Sequence, residues 1–260
     1  MMDAANKKRL KRIKTLLTII CILLLLVGSA LVTQVSFTDL WNGLPNMGTL
    51  LGEMFPPDWS YFGYVTQPML ETIRMAVLGT TFGGIIAIPV ALLSSSNVIR
   101  IPVIYQISRF IMNLIRTIPE LLLAALFVPI FGIGEIPGIA AITVFSFGII
   151  AKLTFESIEA IDPGPMEAMT AVGANKVQWI FFGVIPQVMA HYMSYFLYSF
   201  EINIRAAAIL GYVGAGGIGL VLSNALSFFQ YNQVLTIIIY TLIVVLIIDA
   251  VSNKIREKLL

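Results

Sequence analysis

The chain has 260 residues, of which 58% are hydrophobic and 12% charged, with a formal net charge of +2 and a mean hydropathy of +0.91. Soluble domains carry about a quarter charged residues, so this composition excludes a soluble enzyme and a disordered chain. Cys21 is the single cysteine, which excludes a disulfide scaffold as well. The chain reads as a polytopic membrane protein.

Residues 1–12 form a basic leader, and Lys7, Lys8, Arg9, Lys11, Arg12 and Lys14 crowd the entry to the first apolar run. Residues 13–32 supply the ~20 residues that a helix needs to cross ~30 Å of hydrocarbon. The run is longer than the core of a signal peptide, which favours a retained anchor, while Gly28-Ser29-Ala30 leaves cleavage open. Residues 33–72 read as an extracytoplasmic link with Asp39, Glu53, Asp58 and Glu71 and no basic residue. Its Trp59, Tyr61, Phe62 and Tyr64 suit an interfacial belt.

A core at 73–250 holds five further candidate spans. The second span of the chain is 73–93, with Gly79 and Gly83 in GxxxG spacing. The third, 118–131, is short and carries Pro119 and Pro129; 101–115, marked by Arg109 and Arg116, reads as its interfacial or tilted lead-in. The fourth is 136–153, the fifth 185–209 and the last 234–250, where Asp249 reads as a charge snorkelling to the interface. Residues 251–260 are a basic tail. Six spans put both termini on one side. Of the 16 Lys and Arg residues, 14 then lie on the leader, the 94–116 link, the 152–184 link and the tail. Basic residues concentrate on cytoplasmic segments, so the expectation is an all-α protein with six transmembrane helices and both termini cytoplasmic.

The 155–187 segment between the fourth and fifth spans contains its own helix signals. Asp162-Pro163-Gly164-Pro165 is a helix start, since proline in the first turn gives up an amide that has no partner there. Gly173 is a helix stop. A short helix at 163–173 is therefore expected to project between two spans. Within it, Glu167-Ala168-Met169, three residues, Gly173, nine residues and then Gly183-x-Ile185-Pro186 resembles the EAA loop of ABC importer permeases. Met169, Gly183 and Ile185 depart from the family pattern, and Glu167, Ala168, Gly173 and Pro186 match it. The resemblance implies a type I importer permease fold in which Glu167, Ala168, Gly173 and Pro186 form a coupling loop docked on a separate ATPase subunit.

The fifth span is not uniformly apolar. Gln187, His191, Ser194, Tyr198, Glu201 and Arg205 recur at steps of four and three, which at 100° per residue gathers them within an arc of ~80°. Glu201 and Arg205 stand in the favourable order for a helical ion pair. Two readings are open: a pair that fastens the helix to a neighbour, or the lining of a transport path that suits an anion. Ser194, Tyr198, Glu201, Asn203, Arg205 and, ahead of the third span, Arg116 are the candidate path residues. Arg116 also reads as an interfacial anchor with Glu120 as its counter-charge. The run Gly211, Gly214, Gly216, Gly217, Gly219 satisfies GxGxxG, yet no strand or βαβ unit surrounds it, so it is not a dinucleotide site. Irregular backbone at membrane depth is tolerated against protein or water, which suits a gate or cavity lining.

The string from Glu201 to Gly219, together with Asn113-Leu-Ile-Arg116-Thr-Ile-Pro119-Glu120, resembles the phosphonate-type branch of these permeases. That likeness implies import of a phosphonate or a related phosphorus oxyanion in a bacterial inner membrane. It further implies a homodimer, two cytoplasmic ATPase subunits and an extracytoplasmic substrate-binding protein. The chain itself is then no enzyme and holds no cofactor, ATP and magnesium residing on the partner; no nucleic acid is involved. Competing readings are a permease for an amino acid or betaine, an ion-coupled secondary transporter, and a membrane-embedded enzyme. The last finds no catalytic constellation or metal-ligand spacing.

Overall fold

The computed structural model describes residues 2–33 and 36–259, and every regular element among them is helical. Positions 1, 34, 35 and 260 of the predicted leader, link and tail, and the Lys7 side chain, lie outside the described residues. The chain divides into two compact units, Met1–Glu53 and Met54–Leu260.

In the first unit, α1 (Met2–Val32) absorbs the basic leader and the apolar run into one helix. Lys and Arg are good helix formers, and neither glycine nor proline separates them from Leu16. The element α2 (Phe37–Met54) occupies part of the expected link. Leu44, Met47, Leu51 and Met54 recur there at helical spacing, a signal the charge pattern had overshadowed.

The second unit begins with α3 (Phe62–Ser94), α4 (Pro102–Arg116), α5 (Glu120–Phe131) and α6 (Glu135–Glu159). It continues with α7 (Pro163–Ala171) and α8 (Lys176–Gln178), which passes through a π-helical turn, Trp179–Val184, into α9 (Ile185–Leu210). A 3-10 turn, Gly211–Val213, then leads to α10 (Gly217–Ser227) and α11 (Tyr231–Leu259). The π turn has a chemical cause. Pro186 has no amide to donate to the carbonyl one turn back, and widening the helix accommodates the missing bond.

Among the described residues, five helical segments are long and apolar enough to cross a membrane: Lys8–Val32, Trp59–Ser94, Glu135–Glu159, Lys176–Val213 and Tyr231–Leu259. The expected third span is not one rod. α4 and α5 are bent by 85° at their break and qualify only as a pair. The 12 residues of α5 rise by only about 18 Å, short of the ~30 Å required. Both elements still serve one crossing, as the packing of their neighbours requires. On α3, a Cβ at Gly79 would lie against Ile142, and one at Gly83 against Ser146 at 2.7 Å, so α3 and α6 run parallel in close contact. Ser96, after α3, meets Glu159 at the end of α6. The chain must therefore return to the opposite end between them, and α4–α5 is the segment that does so.

Ala87 and Ala91 extend the small-residue face of α3, both fully buried in one apolar cluster with Ile150 and Ala151 of α6. Such faces let membrane helices approach closely and gain dispersion contacts. α9 crosses both antiparallel and is pinned by Asn203, whose Nδ2 donates to Thr80 Oγ1 at 2.7 Å and to Ser146 Oγ at 2.6 Å. α11 runs parallel to α3, with Tyr240 Oη to Thr66 Oγ1 at 3.2 Å and Thr236 Oγ1 to the Asp58 carbonyl at 3.1 Å.

Candidate functional site

The first candidate site is the connection from α6 to α9. Asp162 caps α7 by accepting from Gly164 N at 2.9 Å. At the other end the Gly173 amide donates to the Thr170 carbonyl at 3.1 Å and the Ala174 amide to the Met169 carbonyl at 3.0 Å. This paired closure, with Gly173 at φ +74°, is a Schellman ending. The predicted stop is found at Gly173, and the helix proper ends at Ala171. Met166 is buried against α9 and the π turn, while Glu167 and Ala168 face outward. Pro186 and Gly173 are exposed too. The four loop residues singled out by sequence are thus on one connection, with Glu167 and Ala168 unobstructed.

This connection is held to the rest of the unit by polar contacts that sequence reasoning missed. Glu159, the last residue of α6, accepts from the Ser96 amide at 2.7 Å, from Ser96 Oγ, and from Arg109 Nη2 at 2.5 Å. Arg109 Nε donates to the Ser94 carbonyl at 2.7 Å, and Asn97 Nδ2 to the Ile158 carbonyl at 2.6 Å. Lys176 Nζ donates to the Val98 carbonyl at 2.7 Å and lies 4.0 Å from the centre of the Trp179 ring. Trp179 Nε1 in turn donates to the Met166 carbonyl at 3.0 Å. The loop after α3, the end of α6 and α7 are therefore one bonded assembly. Beside it opens a groove of about 480 Å³, lined by Ser96, Asn97, Arg100, Met166, Glu167 and Lys176.

The second candidate site lies along α9. The expected pair forms, with Arg205 Nη2 2.7 Å from Glu201 Oε1. A third charge joins it: Arg256 Nη2 is 2.9 Å from Glu201 Oε2. Arg256 was assigned to a separate tail, but α11 continues unbroken to Leu259 because nothing between Ala250 and Arg256 stops a helix. Asp249, Ser252 and Arg256, at steps of three and four, were the available signal. Asp249 is half-buried, and its Oδ1 has no hydrogen-bond partner among the described residues. The Glu201 side chain is 15% exposed and that of Arg205 is 51% exposed. A charge facing lipid at span centre costs about 2.5–3.5 kcal/mol for Arg on insertion scales, so Arg205 belongs against protein or water.

The other path candidates separate. Ser194 is buried and Tyr198 exposed. Asn203 points into the three-helix pin, with Ser199 Oγ 3.5 Å away. Arg116 closes α4, where its stem crosses Gly148 of α6. Among the described residues no ion pair joins Arg116 to Glu120; Pro119 and the bend part them.

The glycine run makes a tight crossing. A Cβ on Gly219 would fall 2.9 Å from Gly211, so the start of α10 lies directly on the end of α9. Gly214, Gly216 and Gly217 all have positive φ. The Gly134 amide donates to the Gly214 carbonyl at 3.0 Å, and the Ile218 amide to Thr72 Oγ1 at 2.8 Å. The run thus turns the chain, as expected, and further starts a short apolar helix that was not foreseen.

The family described as "Binding-protein-dependent transport system inner membrane component" matches residues 79–259. The chain is 36% identical over 220 residues to the phosphite transport system permease protein PtxC of Stutzerimonas stutzeri, across 85% of this chain and 80% of that one. It is 35% identical over 223 residues to the phosphate-import permease protein PhnE of Mycolicibacterium smegmatis, across 86% of this chain and 42% of that longer one. A solved chain of the MetNI methionine ABC transporter, in an inward-facing conformation, has a TM-score of 0.69 at 23% identity. The match covers 78% of this chain and 99% of that one, a likeness of fold.

Proposed function

The chain belongs to the binding-protein-dependent transport system inner membrane components, and on that premise we propose that it is the permease subunit of an ABC importer for a phosphorus oxyanion. It is a multi-pass membrane protein of a transport system. The relatives named for phosphite and phosphate transport support the substrate class. Two copies enclose the path, with α7 on the cytoplasmic side, and each α7 docks on an ATPase subunit that binds ATP and magnesium. An extracytoplasmic binding protein delivers the solute.

The observation that carries this reading is α7 itself, a capped helix with Glu167 and Ala168 free on its outer side and Met166 seated in the core. A partner pushing on the outer side moves the seated side, and with it the ends of α3, α6 and α9. Arg205 and Glu201 contribute to the solute path, and the Gly211–Gly219 crossing serves as its gate. Selective binding of one orientation by the nucleotide-loaded ATPase then shifts the permease between inward- and outward-facing states.

Reconstitution with the ATPase and binding protein tests the reading. ATP turnover is expected to rise with phosphite, phosphate or a phosphonate on the binding protein. Stimulation only by methionine or betaine would replace the substrate class, and uptake driven by a pH gradient without any ATPase would replace the mechanism.

A further inference from the structure

Glu201 spends both carboxylate oxygens on arginines from two helices. Oε1 accepts from Arg205 on its own helix at 2.7 Å, and Oε2 accepts from Arg256 on α11 at 2.9 Å. The three groups sum to one positive charge. Each guanidinium has five N–H donors in a planar fork. Arg256 commits one nitrogen, and its buried Nε has no hydrogen-bond partner among the described residues. Arg205 adds only a long bond of 3.4 Å from Nε to the Glu201 carbonyl. Donor capacity therefore exceeds what a single carboxylate can accept.

Arg205 is half-exposed, whereas Arg256 and Glu201 are 25% and 15% exposed, so the cluster has one open and one shielded side. All three belong to segments apolar enough to span the membrane, and charge at such depth faces protein or an aqueous interior. Asp249 lies seven residues before Arg256, about 10 Å of helix rise, and makes no ion pair with it among the described residues.

We propose that Arg205 and Arg256 form a two-arginine station for a phosphorus oxyanion, with Glu201 as the built-in counter-anion that the solute displaces from Arg205. A tetrahedral oxyanion offers several acceptor oxygens to two forks, where the carboxylate offers two. When no solute is present Glu201 holds the forks together, which keeps two like charges from separating the helices. The station rests on the importer reading and adds Arg256, from the last helix, as a recognition residue.

The test is uptake of phosphite, methylphosphonate and phosphate by proteoliposomes containing the permease, its ATPase and its binding protein. ATP turnover stimulated by the loaded binding protein is measured beside it. R256Q is expected to lower uptake by about 10–100-fold, the worth of a hydrogen bond to a charged group, while stimulated turnover persists. Where R256Q fails to assemble, E201Q/R256Q removes the buried charges together, and its uptake is expected to stay about tenfold or more below that of the unaltered protein. Unaltered uptake in R256Q, or recovery in the double variant, would reduce the cluster to a fastener between α9 and α11. Phospholipid lost from R256Q in native mass spectra, with uptake unaltered, would assign the arginines to a lipid headgroup and overturn the station. Failure of the unaltered protein to import any of the three oxyanions overturns the importer reading itself, and the station with it.

Discussion

Asn203 donates to Thr80 across 123 residues of sequence at 2.7 Å, with both side chains fully buried. The same amide reaches Ser146 at 2.6 Å, so one side chain of α9 registers both parallel helices α3 and α6. Asn203→Leu leaves two buried hydroxyls without that donor. The expected loss is about 1 kcal/mol, typical of polar contacts between membrane helices, read as a lower Tm of the purified protein in detergent. An unchanged Tm would mean that apolar packing alone sets the register.

The α3–α6 contact is tighter than a side chain allows. A Cβ at Gly83 would meet the Thr143 carbonyl oxygen at 2.7 Å and the Phe147 amide nitrogen at 2.8 Å, backbone atoms that cannot rotate aside. Gly83→Ala is expected to destabilise by about 1–3 kcal/mol. Gly63→Ala, at the open start of α3 with nothing within 4 Å, is expected to have no such effect. Equal melting of the two variants would contradict the close approach.

Gly173 has open space around its absent Cβ but sits at φ +74°. Alanine there is disfavoured by backbone alone, about 1–2 kcal/mol, and asparagine less so. Gly173→Ala should therefore impair coupling of ATP turnover to uptake more than Gly173→Asn, with membrane insertion unaffected by either. Gly173→Trp and Glu167→Lys, which alter the outer surface, should prevent ATPase recruitment in a pull-down from detergent.

Arg109 bridges Glu159 and the Ser94 carbonyl, and both ends of the ion pair are about one quarter exposed. Its Coulombic worth is modest, about 0–1 kcal/mol after screening, so Arg109→Ala should leave the global Tm nearly unchanged. Hydrogen exchange in residues 95–101 should instead accelerate, because Glu159 then holds that loop through Ser96 alone. Protection equal to that of the unaltered protein would show the ion pair to be idle.

Much of the architecture was legible as apolar run length, since crossing a bilayer imposes a minimum that few residues disguise. The ends of α7 were legible too, because Asp162, Pro163 and Gly173 act through local backbone chemistry. The bend between α4 and α5 was only half visible. Pro119 marked the break, but a proline alone does not specify the 85° angle found there. The pairing of Arg256 with Glu201 depends on how two helices are rotated against each other, which no single-helix periodicity encodes. Asn203 was a candidate path residue, and its hydrogen bonds to buried Thr80 and Ser146 depend on three helices meeting, which the sequence of α9 alone does not show. α10 was hidden because its first turn contains Gly217 and Gly219, and glycine is a poor helix former.

The two ends of α6 carry different attachments. At Gly134 it is tied to Gly214 in the glycine crossing, and past Glu159 it leads into α7. Its 25 residues make a continuous helix of about 37 Å, in which Pro137 and Gly138 fall near the start and Gly148, at mid-length, is packed against the Arg116 stem. Over that length a few degrees of tilt of the whole helix at the α7 end displaces the far end, where Gly134 meets Gly214, by an ångström or more.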